Sequence, residues 1–224
     1  MRWPFWLAAA VLAMPLLWAV PAYLGLGFEG EPADRPVQVS RPDGPLRIVF
    51  LGTSLTASYG WPDQVEGCAA HPVAVSRIAR PGAASDWGLA RAQDVIAQRP
   101  DVVFIEFSVN DADLRHGISL RRSADNHRRL IGALRARLPG ARIVLMTMSP
   151  AHGLRRLLRP RLPAYYGLYR DLARDLDTGL LDLYPRWRAL PRKARRQEDG
   201  LHPGETAASR LIVPGIAAYL GLTC

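Results

Sequence analysis

The chain has 224 residues and a net charge of +9, from 29 Lys and Arg against 20 Asp and Glu. That length accommodates one domain with a sizeable core and a short appendage. With two cysteines, no His/Cys cluster and no zinc-finger or RNA-binding signature, neither a metal nor a nucleic acid is expected as a partner.

The first 28 residues read as a signal anchor. Trp3 to Phe28 is 26 residues without a charged side chain, long enough to span a bilayer with some tilt. Arg2 precedes it, and Glu29, Glu31 and Asp34 follow. This asymmetry places the N-terminus in the cytoplasm and the rest in the periplasm or outside, as a single-pass inner-membrane protein. A cleaved signal peptide, giving a secreted protein, is the alternative. Residues 29–45 carry Pro32, Pro36, Pro42 and Pro45 among charges and glycines, the composition of an extended linker. The remaining stretch, 46–224, reads as one domain.

Within it, apolar runs alternate with amphipathic ones. Strands are expected at Arg47–Leu51, Pro72–Ile78, Asp101–Phe107, Ala141–Met148 and Leu180–Leu183. Helices are expected at Ser54–Glu66, Asp86–Gln98, Ser119–Leu138, Leu162–Leu176 and Gly204–Leu220, the last with a kink at Pro214. Strands alternating with helices imply right-handed crossovers and a parallel sheet covered on both faces. Glu106 inside an apolar strand is unusual, and is expected to pair with an arginine or to point to the strand edge. Tyr165, Tyr166 and Tyr169 form a stripe that reads as core rather than as a sugar platform. Lys193 is the only lysine. The clusters Arg155, Arg156, Arg159, Arg161 and Arg186, Arg188, Arg192, Lys193, Arg195, Arg196 read as solvated loop faces. Phosphate headgroups or an acidic polysaccharide are the alternative partners. Cys68 and Cys224, in an oxidising compartment, suggest one disulfide, the alternative being two unpaired thiols.

Four short motifs follow the expected strands or precede the last helix. Ser54 lies in Gly52-Thr53-Ser54-Leu55-Thr56, where a strand gives way to a helix N-terminus. Gly82 follows the second strand and can bring a bare N–H close to a ligand. Asn110, in Ser108-Val109-Asn110-Asp111 after the third strand, carries an amide that can donate to an oxyanion. Asp199 and His202 stand three residues apart, a spacing that lets Asp199 hold one ring nitrogen while the other faces Ser54. Each motif alone is commonplace: a cap, a turn glycine, an Asx turn, a surface Asp/His pair. Together and in this order they supply nucleophile, base, carboxylate and oxyanion donors for acyl transfer.

In these blocks the chain resembles the SGNH/GDSL hydrolase superfamily, from about Arg47 to Leu220. The resemblance implies a three-layer α/β/α flavodoxin-like fold with a five-stranded parallel sheet in the order 2-1-3-4-5, here preceded by a transmembrane or signal helix. It implies catalysis by Ser54, His202 and Asp199, an oxyanion hole of Ser54, Gly82 and Asn110, and no cofactor or metal. His152, after the fourth strand, is a possible substrate contact. Thr53 stands where the family pattern carries Asp, and Ser108 where it carries Gly. The fold would also bring Cys68 and Cys224 to the same far edge of the sheet. The expected activity is hydrolysis of carboxylic esters, short acyl groups such as O-acetyl on an extracytoplasmic glycan ahead of a lipid. An O-acyltransferase acting on a cell-surface polysaccharide and an inactive membrane-tethered glycan-binding protein are the alternatives.

Overall fold

The computed structural model describes residues 30–39, 43–67, 72–191, 193–194, 197 and 199–222. The expected anchor at 1–28 and the Cys68–Cys224 pairing lie outside the described residues. Among the described residues no helix is long and apolar enough to cross a membrane.

Five strands form one sheet: β1 (Leu46–Gly52), β2 (Val73–Ala79), β3 (Val102–Glu106), β4 (Arg142–Thr147) and β5 (Gly179–Asp182). All pair in parallel, in the order β2-β1-β3-β4-β5. Successive side chains of a strand point to opposite faces, and both faces here are apolar. On one, Ile48, Phe50, Phe104 and Met146 pack with Trp61, Ile212 and Ile216; on the other, Val49, Leu51, Ile105 and Leu145 pack with Leu130, Leu134 and Leu172. The chain steps from β1 outward to β2, then returns past β1 to β3. The strand order therefore reverses beside β1, and a crevice opens at the C-terminal ends of β1 and β3.

The helices are more broken than their periodicity suggests. The expected helix 54–66 is two pieces, α1 (Ser54–Ala57) and α2 (Trp61–Glu66). Pro62 has no N–H and fits only the first turn of a new helix. The expected helix 86–98 divides at Arg91 into α3 (Ser85–Ala90) and α4 (Ala92–Ala97). Four short elements had no periodic signal: α5 (Ser108–Asp111), a 3-10 turn at Leu114–His116, α7 (Gly153–Leu157) and α9 (Leu183–Ala189). The long helices α6 (Leu120–Arg137), α8 (Leu162–Asp175) and α10 (Glu205–Leu220) fall where expected, with Pro214 inside α10.

Part of the expected linker lies on the domain. Arg35 and Leu180 exchange two backbone hydrogen bonds of 2.9 and 3.0 Å as an isolated antiparallel bridge on the free edge of β5. Arg186 pairs with Asp34 beside it. Gly179 admits this close approach: a Cβ there would lie 2.2 Å from Tyr219 Oη and 3.1 Å from Val37.

Candidate active site

β1 delivers Ser54 into the crevice. Thr53 caps α1, its Oγ1 accepting the Leu55 N–H at 3.1 Å. Beneath this turn lies Glu106, only 2 % exposed. It meets neither an arginine nor the strand edge, contrary to expectation. Its Oε1 accepts the Thr53 N–H at 2.6 Å and the Thr56 hydroxyl at 2.8 Å, and Thr53 Oγ1 lies 3.0 Å from both carboxyl oxygens. Three donors replace the missing cation. Burial raises the Glu106 pKa to about 7 in spite of those bonds, each of which favours the charged form. Gly52 makes room for the carboxyl group, since a Cβ there would stand 2.2 Å from Glu106 Oε1. Where the family pattern has Asp at the position of Thr53, the carboxylate under this turn belongs to Glu106.

His202 arrives from the loop before α10. Asp199 Oδ1 accepts the backbone N–H groups of Leu201 and His202 at 2.9 and 2.8 Å, and Oδ2 lies 2.7 Å from His202 Nδ1. An ionised carboxylate only accepts, so Nδ1 carries the proton and Nε2 is left to accept from Ser54 Oγ at 2.8 Å. Burial opposes ionisation of Asp199, but the donors from His202 and Leu201 outweigh it and bring its pKa down to about 2. Arg155 adds a guanidinium 3.5 Å from Oδ2. The loop turns at Gly200, with φ +78, and a Cβ there would lie 2.6 Å from His152 O. His152 N–H donates to Gly200 O at 2.7 Å, so His152 adjoins the Asp199–His202 loop through its backbone. Tyr59 Oη–H donates to Pro203 O at 2.7 Å and ties the loop to the segment after α1.

Gly82 and Asn110 follow β2 and β3 at the same edge of the sheet. Gly82 sits at φ +75 in the turn after β2, closed by the Ala83 N–H to Arg80 O bond of 3.0 Å. Asn110, in α5, donates its Nδ2–H to Ala83 O at 2.8 Å and so reaches the turn that bears Gly82. Ser108, in place of glycine, is accommodated without displacing this link: its hydroxyl donates to Tyr165 O at 3.3 Å. Arg159 is the residue that sequence reasoning misplaced. It is 2 % exposed rather than solvated, donates Nε–H to Val109 O at 2.7 Å and pairs with buried Asp113 at 2.7 Å. Its Nη2 also lies 3.4 Å from Asn110 Oδ1. A cation at Oδ1 fixes which end of the amide faces Ala83. Burial raises and the Arg115 and Arg159 donors lower the Asp113 pKa, which settles at about 2.

Other buried polar side chains brace the surrounding elements. Tyr166 and Tyr169 are buried, bonding Ser149 O and the Phe107 N–H respectively. His127 bonds Ser123 O and Tyr169 Oη inside the core. Asp111 takes the Ser85 N–H and the Ser123 hydroxyl and so fixes the loops around Asn110. No group of His, Cys, Asp and Glu among the described residues is arranged to hold a metal ion.

A profile of the GDSL-like lipase/acylhydrolase family matches residues 50–209, a span that holds Ser54, Gly82, Asn110, Asp199 and His202. The chain belongs to this family. Solved structures agree with the profile. The lipase/acylhydrolase from Enterococcus faecalis is 26% identical with a TM-score of 0.68, over 79% of this chain and 97% of that one. A catalytic mutant of Axe2, an acetylxylan esterase from Geobacillus stearothermophilus, superposes at 0.67 and 19% identity, over 81% and 97% of the two chains. TesA superposes at 0.62 and 23% identity, over 78% and 97%. The last two show a shared fold. No match was found among curated proteins. As a GDSL-like acylhydrolase of SGNH type, the chain is a serine hydrolase acting on ester bonds.

Proposed function

We propose that this GDSL-like hydrolase cleaves carboxylic esters through an acyl-enzyme on Ser54. The observation that carries the proposal is the continuous relay from Ser54 Oγ to His202 Nε2 at 2.8 Å and from His202 Nδ1 to Asp199 Oδ2 at 2.7 Å. His202 takes the hydroxyl proton as Ser54 Oγ attacks the ester carbonyl. The oxyanion is held by the Ser54 and Gly82 N–H groups and the Asn110 amide. His202 then passes its proton to the departing alkoxide. Water follows, giving a proton to His202 and its oxygen to the acyl carbon, and Ser54 recovers its hydrogen as the acid leaves.

For the substrate we propose a short acyl group on an extracytoplasmic glycan, with His152 beside it. The fold shared with an acetylxylan esterase supports small acyl groups. The proposal includes export, anchoring by residues 3–28 in the inner membrane, and a Cys68–Cys224 disulfide in the exported domain. Non-reducing peptide mapping of the purified protein checks the last point, and two free thiols would contradict it.

The test of the chemistry compares p-nitrophenyl esters from acetate to octanoate on wild type and Ser54→Ala. Turnover that falls with acyl length and vanishes in Ser54→Ala is the expected result. Undiminished turnover in Ser54→Ala would remove Ser54 as nucleophile. A maximum at octanoate would replace the short-acyl substrate by a lipid. No turnover by either protein, with transfer to an added polysaccharide, would make it an acyltransferase.

A further inference from the structure

Two separate features lie on the edge of the sheet that carries the site. The first is where the chain joins the domain. Ala33 N–H donates to Asp182 Oδ2 at 3.1 Å, and Asp182 N–H donates to Asp34 Oδ1 at 2.8 Å. Asp182 is the last residue of β5, so this junction is at the C-terminal ends of the strands, the same edge as Ser54 and Asn110. Arg35 then pairs antiparallel to Leu180, so the chain leaves that edge for the opposite one. Only residues 29–32 separate the uncharged stretch ending at Phe28 from Ala33. The five steps from Phe28 to Ala33 reach at most about 18 Å.

The second feature is apolar. Among the described residues the large exposed apolar side chains are Leu114, Leu154 and Leu157, at 64, 72 and 71 %. Scattered singly they would need no cause. They are not scattered. Leu114 N–H donates to Leu158 O at 2.9 Å, which joins the 3-10 turn to α7. α7 in turn meets the Asp199–His202 loop through the His152–Gly200 bond and the Arg155–Asp199 pair. The leucines thus stand on the rim of the site. Arg115 and Arg156 are exposed beside them, and Arg155 is partly so. Apolar side chains ringed by arginine match the boundary between acyl chains and anionic headgroups.

We infer that the active-site edge faces the bilayer. Leu114, Leu154 and Leu157 sit at the interface of an anionic membrane, and Arg115, Arg155 and Arg156 meet its headgroups. The short tether and the leucine rim orient the domain in the same sense. The ester reaches Ser54 from the membrane surface, so its carrier is one held at that surface. This inference rests on the anchored, exported reading above.

The test uses the full chain in nanodiscs of phosphatidylcholine and phosphatidylglycerol, with Cys68→Ser and Cys224→Ser and one nitroxide at Leu157→Cys. A second label at Gly140→Cys, exposed at the opposite edge with nothing within 4 Å of its Cβ position, reports solvent. The expected result is a label at 157 that collides with dissolved oxygen in preference to a water-soluble nickel chelate, with the reverse at 140. Equal, aqueous behaviour of the two labels in a chain that resists carbonate extraction would overturn the inference and leave the anchor standing. The site would then open toward soluble glycan. A chain that carbonate removes from vesicles would overturn the anchor and this orientation with it. The turnover comparison on Ser54→Ala is independent of either outcome.

Discussion

Glu106→Gln separates the cost of the buried carboxyl group from the benefit of the bonds it accepts. The native carboxyl, with an ordinary pKa of 4.5, titrates at about 7 because burial penalises its charge more than the Thr53 and Thr56 donors reward it. Between those two values the folded protein holds a proton that the unfolded chain has released. Stability therefore falls as pH rises through this window. Each pH unit costs about 1.4 kcal/mol, so ionising Glu106 removes about 3 kcal/mol between pH 4.5 and pH 7. The side chain is fully enclosed, and solvent screening does not reduce the figure. Glutamine keeps the shape. Its Oε1 accepts from the Thr53 N–H and the Thr56 hydroxyl, and its amide N–H donates to Thr53 Oγ1. It carries no charge at any pH. For a domain of this size 1 kcal/mol moves Tm by about 2–4 °C, so at pH 8 the variant should melt roughly 6–12 °C above wild type. Near pH 4.5 the two should coincide. Scanning calorimetry of both proteins from pH 4.5 to 8 isolates Glu106 from the other carboxyl groups, which are common to both. Parallel Tm profiles would refute the reasoning and show that the Thr53 and Thr56 bonds alone suffice to keep the buried carboxylate charged.

Other substitutions probe the rest of the site. Asp199→Asn should preserve the fold and lower kcat on the order of 10³–10⁴, by presenting the wrong ring nitrogen to Ser54; near-normal turnover would remove Asp199 from the relay. Because the Asp199 pKa is held at about 2, activity should not decline by its protonation until pH approaches that value. Asn110→Ala should cost on the order of 10² to 10³ in kcat with KM little changed, and an unaltered kcat would take its amide out of the oxyanion hole. Arg159→Met leaves Asp113 buried with only the more exposed Arg115, and should cost about 3 kcal/mol in urea unfolding. Adding Asp113→Ala should recover part of that loss, and no recovery would show that the pair is not the source of the cost.

What the sequence reveals of this molecule divides along the range of the interactions. β1, β3, β4 and β5 are legible because an apolar run buried on both faces is a local signal. The placement of Ser54, Gly82, Asn110 and His202 is legible because each stands at a strand end or ahead of a helix, and topology brings such places to one edge. Glu106 and Arg159 are not legible, because what decides them is distant. Glu106 meets donors fifty residues earlier, and nothing around it in the chain announces that Thr53 and Thr56 replace an arginine. Arg159 lies in a run of arginines whose neighbours are solvated, and only Asp113 and the Val109 carbonyl distinguish it. Ala33 to Val37 has the composition of a linker, yet β5 offers it an open edge. In each case the unforeseen group supports a foreseen one. Glu106 holds the turn that aims Ser54, and Arg159 holds the helix that aims Asn110. A site of this kind needs its reactive groups held to within a fraction of an ångström, a precision that short turns lack by themselves. Buried polar residues without a local rationale, adjoining turns that carry reactive groups, are therefore where the supporting structure of such a site is to be sought. By that criterion the Arg155–Asp199 pair, about a third exposed and shared with His202, is a weaker support than either.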